Sequence, residues 1–349
     1  MSKPIVRAID VGYGNTKFTV LRQGPGEIHC GVFPSIAPQA SSMPDLAGDL
    51  LQRRNTAVVE VNGVRFEVGT DAMLAKDASY GRTLDEAYCS TDAYLALVRG
   101  AIYYMGVDKI DVLVVGLPVS THSEKQRELE QRLEGYHAIP CPRKPGSEHK
   151  DKIVHVGHVT ALPQPIGAFF DFSIQEGRFK RMRNELNLVI DPGYFTLDWV
   201  VAQGTKIVNA RSGAHNGGMS SILATVGEAM SRDIGARISD YTRIDDALRS
   251  GTNPRFNGKE YTLDKYLPLG NEKARQHLAV MMTKVGDPTD IDNILLAGGG
   301  AEFYRDLVAE KFPLHQIHIT PDPVFANVRG FQFAGESWAA HNLNPAAAA

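Results

Sequence analysis

The chain is poor in cysteine, has no long apolar run and carries almost no excess of charge, and each shortage removes a class of function. Its three cysteines, Cys30, Cys89 and Cys141, stand far apart with no Cys-x-x-Cys or Cys/His spacing. A disulfide framework and a zinc ribbon are thereby excluded, and reduced, structurally inert thiols are expected. No segment approaches the ~20 apolar residues that span a bilayer, and the opening MSKPIVRAID runs straight into a strand rather than a signal sequence. The expectation is a cytoplasmic protein without membrane contact. With 37 basic against 40 acidic residues, the formal net charge of −3 provides no global field for attracting nucleic acid. No basic stretch interleaved with aromatics occurs either, so direct sequence-specific DNA binding is not expected.

What the chain does have is length and glycine. At 349 residues it is long for one hydrophobic core and suited to two, and small ligands commonly bind in a cleft between two such domains. One glycine-bearing phrase occurs twice: IDVGYGNTKF at residues 9–18 and IDPGYFTLDW at 190–199, so that Asp10 and Asp191, Gly12 and Gly193, Tyr13 and Tyr194 share one offset. Each follows an apolar run and is followed by a second strand-like run, KFTVL in the first case and TLDWVVA in the second. Both are β-hairpins whose turn carries the polar chemistry. A Rossmann or P-loop site sends a helix out of its glycine turn, so those folds are disfavoured.

Elsewhere strands and helices alternate, which argues for α/β layers. Residues 57–69 place Asn62-Gly63 between β-rich runs, a hairpin signal. Tyr94, Leu97, Val98, Ala101, Ile102 and Met105 recur at helical spacing, with Ser90, Thr91 or Asp92 to cap the start and Gly106 the end. The strand IDVLVVGLPV and a charged helix at 121–134 follow. Beyond the second hairpin, Met219, Ile222, Leu223, Val226 and Met230 share one helical face, stopped by Gly235. Further helices are expected from Leu263 to Val285, over AEFYRDLVAEKF, and near 325–340, the last carrying Phe325, Val328, Phe331 and Phe333. Residues 142–152 read as a surface loop and NLNPAAAA as a frayed tail.

In each repeated turn a carboxylate ends a buried strand, and a glycine two residues on lets backbone N–H groups approach a ligand closely. An anion with several oxygens fits there, with the two aspartates holding a hydrated magnesium ion. Singly, either turn also suits an ordinary hairpin with a satisfied aspartate; repetition favours the functional reading. The run LAGGGAEF adds a glycine-rich passage from a strand into a helix.

Five phrases in order, AIDVGYGNTK, LPQPIGAFFD, VIDPGYFTLDW, LLAGGGAEF and FANVRGFQF, resemble the phosphate 1, first connecting, phosphate 2, adenosine and second connecting elements of the actin, Hsp70 and sugar-kinase superfamily. The resemblance implies a bilobed, actin-like (ribonuclease H-like) α/β fold of two related domains flanking a nucleotide cleft. Domain I would comprise 1–165 and 326–349 with a small cap at about 30–80, and domain II 166–325. DPGYFTLD and FANVRGF resemble the ParM/StbA plasmid-segregation group. RRNTAVVEVNGVRFEVG, CSTDAYLALVRGA, VVGLPVS, VIDPGYFTLDWVVAQG and ARSGAHNGGMS resemble PRTRC system protein D.

That likeness implies a slow, Mg-dependent ATPase (or GTPase) that self-associates into filaments and reaches plasmid DNA through an adaptor protein. Asp10 and Asp191 would hold Mg2+ through water, and Gln164 would position the attacking water. Gly12, Tyr13, Gly14, Asn15 and Lys17 would bind the β-phosphate side; Gly193, Tyr194 and Thr196 the γ-phosphate. Asp198 shares the face of Thr196 in a regular strand and either joins the site or braces the turn. Gly298, Gly299 and Gly300 would bound the adenosine pocket, with Gly217, Gly218, Glu228 and Arg232 nearby. The plainer alternatives are a solvated Lys17, a Gln164 that only caps a helix, and a Glu228 and Arg232 on an ordinary polar face. Tyr194 and Phe195 stand where the resemblance implies small residues or glycine, and Pro192 removes a donor N–H, both of which bear on the hydrolysis rate and the γ-phosphate pose; a neutral amide at Gln164 is a poor base, so slow hydrolysis is expected. The rival readings are a nucleotide-gated interaction module that never polymerises and a small-molecule kinase. His155 and His158, of opposite strand parity, suit ordinary strand residues better than one metal.

Overall fold

The computed structural model describes residues 3–22, 24, 27–41, 54–77, 82, 84–141 and 151–343. By contact the chain forms two units, residues 1–181 with 320–349, and residues 182–319. Residues 142–150 of the expected surface loop and 344–349 of the expected tail lie outside the described residues.

The first unit opens with the expected hairpin, β1 (Val6–Val11) and β2 (Asn15–Arg22), followed by β3 (Ile28–Pro34). A separate hairpin, β4 (Thr56–Val61) and β5 (Val64–Gly69), turns on Asn62 and Gly63 with φ of 50° and 79°, the left-handed pair that a two-residue hairpin loop requires. Then come α1 (Asp92–Met105), β6 (Lys109–Leu117), α2 (Val119–Leu133), β7 (Gly135–Pro140), β8 (Asp151–Pro163), α3 (Gln164–Gln175) and α4 (Phe179–Met182). The sheet runs β3-β2-β1-β6-β8-β7, with β1, β6 and β8 parallel. The Thr91 side chain caps α1 by accepting from Tyr94 N, and Gly106 ends it at φ 66°. All six residues of its expected apolar stripe are buried against the sheet. Along β8, His155 pairs its ring with Tyr136 and His158 stacks on Trp338.

The second unit repeats the plan. β9 (Leu186–Pro192) and β10 (Leu197–Gln203) form its hairpin, extended by β11 (Lys206–Ile207) and β12 (Gly213–His215). There follow α5 (Met219–Ile234), α6 (Thr242–Ser250), the ribbon β13 (Arg255–Phe256) and β14 (Lys259–Glu260), α7 (Leu267–Val285), β15 (Asn293–Leu296), α8 (Ala301–Lys311) and β16 (Ile317–Ile319). Its sheet runs β11-β10-β9-β15-β16, parallel from β9 onward, with β12 on β10. Thus each unit has an antiparallel hairpin continued by parallel crossover strands, the arrangement the repeated phrase anticipates. The expected α5 stripe is buried and Gly235 ends the helix at φ 72°. Expected as one run from Leu263, α7 begins at Leu267, with Pro268 in its first turn and a separate 3-10 turn at Leu263–Lys265.

The chain returns to the first unit with α9 (Ala326–Leu343). Here α3 crosses α9 with no room for side chains: a Cβ on Gly330 would lie 1.7 Å from Gly167 O, and one on Gly167 would lie 2.4 Å from Asn327 O. Buried Arg329 clamps the crossing through two bonds to Asp171, at 2.9 and 2.7 Å. The units therefore divide after residues 181 and 319 rather than 165 and 325, because α3 is bound to the carboxy-terminal helix. Among the described residues no helix is long and apolar enough to cross a membrane. The three cysteines are free, and burial pushes the Cys30 thiol up to about 12, far from a reactive thiolate.

Candidate functional site

The first turn is built by register. In the β1–β2 pair Asp10 lies opposite Lys17 and Val11 opposite Thr16, and Gly12 N closes the turn on Asn15 O at 3.2 Å. Cross-strand neighbours share a face, so Lys17 Nζ reaches Asp10 Oδ2 at 3.0 Å. The other carboxylate oxygen accepts from Gln164 Nε2 at 2.7 Å. Gln164 begins α3 between Pro163 and Pro165, which fix where the helix starts. Asp10 is fully buried and Gln164 nearly so. Lys17, from the facing strand, and Gln164, from the distant start of α3, thus meet on the one Asp10 carboxylate.

The rest of this turn is held from outside. Gly14 O accepts from Ser35 N at 3.0 Å and from Arg82 Nη1 at 2.5 Å, while Tyr13 O lies 3.3 Å from the same guanidinium nitrogen. The Tyr13 ring stacks on Tyr88 and its hydroxyl donates to Asp85 O, so the side chain packs within the unit and the backbone remains the part suited to a ligand. A Cβ on Gly12 would stand 3.6 Å from Lys17 Nζ. Arg82 was not anticipated: nothing local in its sequence distinguishes it from a surface arginine.

The second turn has the same closing bond, Gly193 N to Thr196 O at 2.9 Å. Its register places Asp198 opposite Asp191, at the position equivalent to Lys17. Asp191, Thr196 and Asp198 are all buried. The start of α5 grips the turn: Gly218 N donates to Phe195 O, Met219 N to Gly193 O and Ser220 N to Tyr194 O, at 2.9, 3.0 and 2.7 Å. A Cβ on Gly218 would sit 2.6 Å from Tyr194 O, and one on Gly217 would sit 2.5 Å from His277 Nδ1. The structure therefore gives Gly217 and Gly218 a packing role, holding the turn with helix amides that a phosphate would otherwise attract. The Tyr194 ring packs on the cluster containing Leu223 and Val226. Glu228 and Arg232 lie exposed one turn apart on α5.

The glycine triplet packs on the second turn. Gly298, at φ 81°, lies so close to Asp191 that a Cβ would be 1.9 Å from Oδ1, and only glycine accepts both constraints. Gly300 N donates to Pro192 O at 2.8 Å, and Arg249 Nη1 donates to Gly299 O at 3.3 Å. Behind α5, His215 Nε2 meets His277 Nδ1 at 3.2 Å, His277 Nε2 meets Ser221 Oγ at 2.9 Å, and Ser221 Oγ donates to Gly218 O at 2.9 Å. Burial, then His215 and Lys273, lower the His277 pKa to about 4, which keeps His277 uncharged at neutral pH.

Among the described residues no group of three or more His, Cys, Asp and Glu is placed to hold a metal. Within the first unit Asp10 is a buried carboxylate, and within the second Asp191 and Asp198 face each other across the hairpin; each is a donor of the kind taken by a cation such as Mg2+, which keeps several waters and takes one or two carboxylates plus ligand phosphates.

Residues 8–167 match the family Actin like proteins N terminal domain, and residues 189–310 match Archaeal actin homologue MreB-like, C-terminal. No curated protein matches the chain. Among solved structures, the apo psk41 ParM protein is 20% identical with a TM-score of 0.69, covering 97% of this chain and 99% of that one. An archaeal actin homologue in complex with ADP is 18% identical at TM-score 0.73, covering 95% and 99%. A 15-stranded ParM filament from Clostridium botulinum is 17% identical at TM-score 0.72, covering 96% and 100%. The chain thus has the actin-like fold, and each of its two matched segments contains one of the repeated aspartate-glycine hairpins.

Proposed function

We propose that this protein is an Mg-dependent ATPase that assembles into filaments in a nucleotide-dependent way and serves plasmid or mobile-element segregation, as a relative of PRTRC system protein D. The observation that carries the reading is the repeated hairpin, in which a buried aspartate ends one strand and a glycine N–H closes the turn. The nucleotide-bound archaeal homologue and the ParM filament support it as neighbours in fold.

In this reading Asp10 and Asp191 face the hydrated Mg2+. The metal, when bound, supplies positive charge that neutralises phosphate oxygens. With the Gly12 N–H spent on closing the turn, the backbone N–H groups at Gly14 and Asn15 take the β-phosphate, and Lys17 adds charge beside Asp10. The Gly193 N–H likewise closes the second turn, which leaves the Thr196 hydroxyl for the γ-phosphate, and Gly298, Gly299 and Gly300 border the nucleoside. Gln164, anchored by its amide nitrogen to Asp10, turns its carbonyl oxygen to the attacking water. An amide orients water without removing its proton, so turnover is slow. The nucleotide is ATP or GTP.

The test is phosphate release and sedimentation of the full chain with Mg·ATP, Mg·GTP, Mg·ADP and EDTA. Phosphate release that Asp191→Asn lowers at least a hundredfold, with pelleting that needs triphosphate, is the expected result. Nucleotide binding without pelleting would favour a non-polymerising, nucleotide-gated module, the reading that Pro192, Tyr194 and Phe195 in the second turn favour.

A further inference from the structure

Next to the first turn, Val11, Tyr13, Tyr88, Tyr94, Thr121 and Gln164 help to line a cavity of about 20 Å³, room for about one water molecule. Tyr94, at 2% exposure, is buried in its wall, and its hydroxyl has no hydrogen-bond partner among the described residues. A phenol O–H shut away from water costs free energy unless it finds a partner. Tyr88 meets Tyr94 edge to face and stacks on Tyr13, so the ring cannot turn away to solve this. Burial, with smaller contributions from Cys89 and Asp10, pushes the Tyr94 phenol well above its ordinary value, which leaves it a donor. Gln164 has its nitrogen on Asp10, so its carbonyl oxygen, with two lone pairs, can accept from the cavity as well as from the attacking water of the proposed reaction; Glu86 and Thr121 are the other side-chain acceptors on the lining.

We propose that this cavity is a one-water site in which the water accepts from Tyr94 O–H and donates to Gln164 Oε1, making Tyr94 a positioning residue for Gln164. The water ties helix α1 to the first residue of α3 and holds the amide plane with its nitrogen toward Asp10. The kinetic part of the inference rests on the proposed ATPase function; the structural part does not.

The experiment is a double-mutant cycle of Tyr94→Phe and Gln164→Met in the full chain, read by urea denaturation and by phosphate release. Tyr94→Phe removes only the hydroxyl. With the water in place it lowers the urea midpoint by about 0.5 M, and it adds nothing further once Gln164→Met has removed the acceptor. It also lowers kcat about fivefold and leaves KM within about twofold, because an acting amide has lost its orientation rather than a ligand contact. A Tyr94→Phe protein as stable as the wild type or more so, or two substitutions whose effects simply add, overturns the proposal. If the wild type releases no phosphate, the proposed function fails, while the urea cycle still decides the water site.

Discussion

Asp10 faces Lys17 across the first hairpin, whereas Asp191, at the equivalent place in the second, faces Asp198. The closing hydrogen bond is the same in both. The first hairpin therefore balances its buried charge from its own sequence, with Gln164 on the remaining oxygen. The second sets two buried carboxylates, Asp191 and Asp198, opposite each other on one face. One backbone solution has been kept and two electrostatic solutions have been built on it. The turns also differ in what holds them. Arg82 grips carbonyls of the first, while the amides of α5, braced by the neutral His277, grip those of the second.

Three experiments break or sharpen this contrast. The largest effect belongs to Lys17→Met, which leaves Asp10 buried with only the Gln164 amide as partner; a loss of about 3 kcal/mol in urea unfolding is expected. If that substitution is neutral, the first hairpin is not held by its ion pair. Acid acts next, and on the second turn. His277 titrates near 4 in the folded protein against an ordinary 6.5, so below pH 6.5 the unfolded chain binds a proton that the folded one does not. Its contribution is complete above pH 6.5 and is lost as the pH falls toward 4. Melting temperature recorded across that window should drop less steeply in His277→Gln, whose amide keeps one donor and one acceptor. The smallest effect belongs to Asp198→Asn, which keeps the shape of the side chain facing Asp191 and removes its carboxylate. Added MgCl2 should then raise the melting temperature less than it does in the wild type, and thermal shift with and without MgCl2 checks this; an undiminished response would separate Asp198 from the cation.

Much of the architecture was legible because it is governed by short-range rules. The repeated phrase specifies both hairpins, Asn62-Gly63 the small one, and apolar periodicity with Thr91, Gly106 and Gly235 the helices α1 and α5. That Gln164 rests on Asp10, as an amide-to-carboxylate bond, is revealed only by the packing of α3. What escaped is long-range. Arg82 reaches the first turn from a distant segment, and the glycine packing of α3 on α9 moved the division between units. The contacts of Gly217 and Gly218 with Phe195, Tyr194 and His277 depend on how α5 and α7 meet the second hairpin. A glycine in sequence announces a close approach without saying whether the approaching group is a ligand or the protein's own backbone.

The crossing at Gly167 and Gly330 gives Gln164 a remote handle. With Gly167 and Gly330 in backbone contact and Arg329 pinning Asp171, the carboxy-terminal helix is fastened to the helix whose first residue is Gln164. A displacement of α9, such as a bulky carboxy-terminal fusion would impose, should therefore reach the amide resting on Asp10.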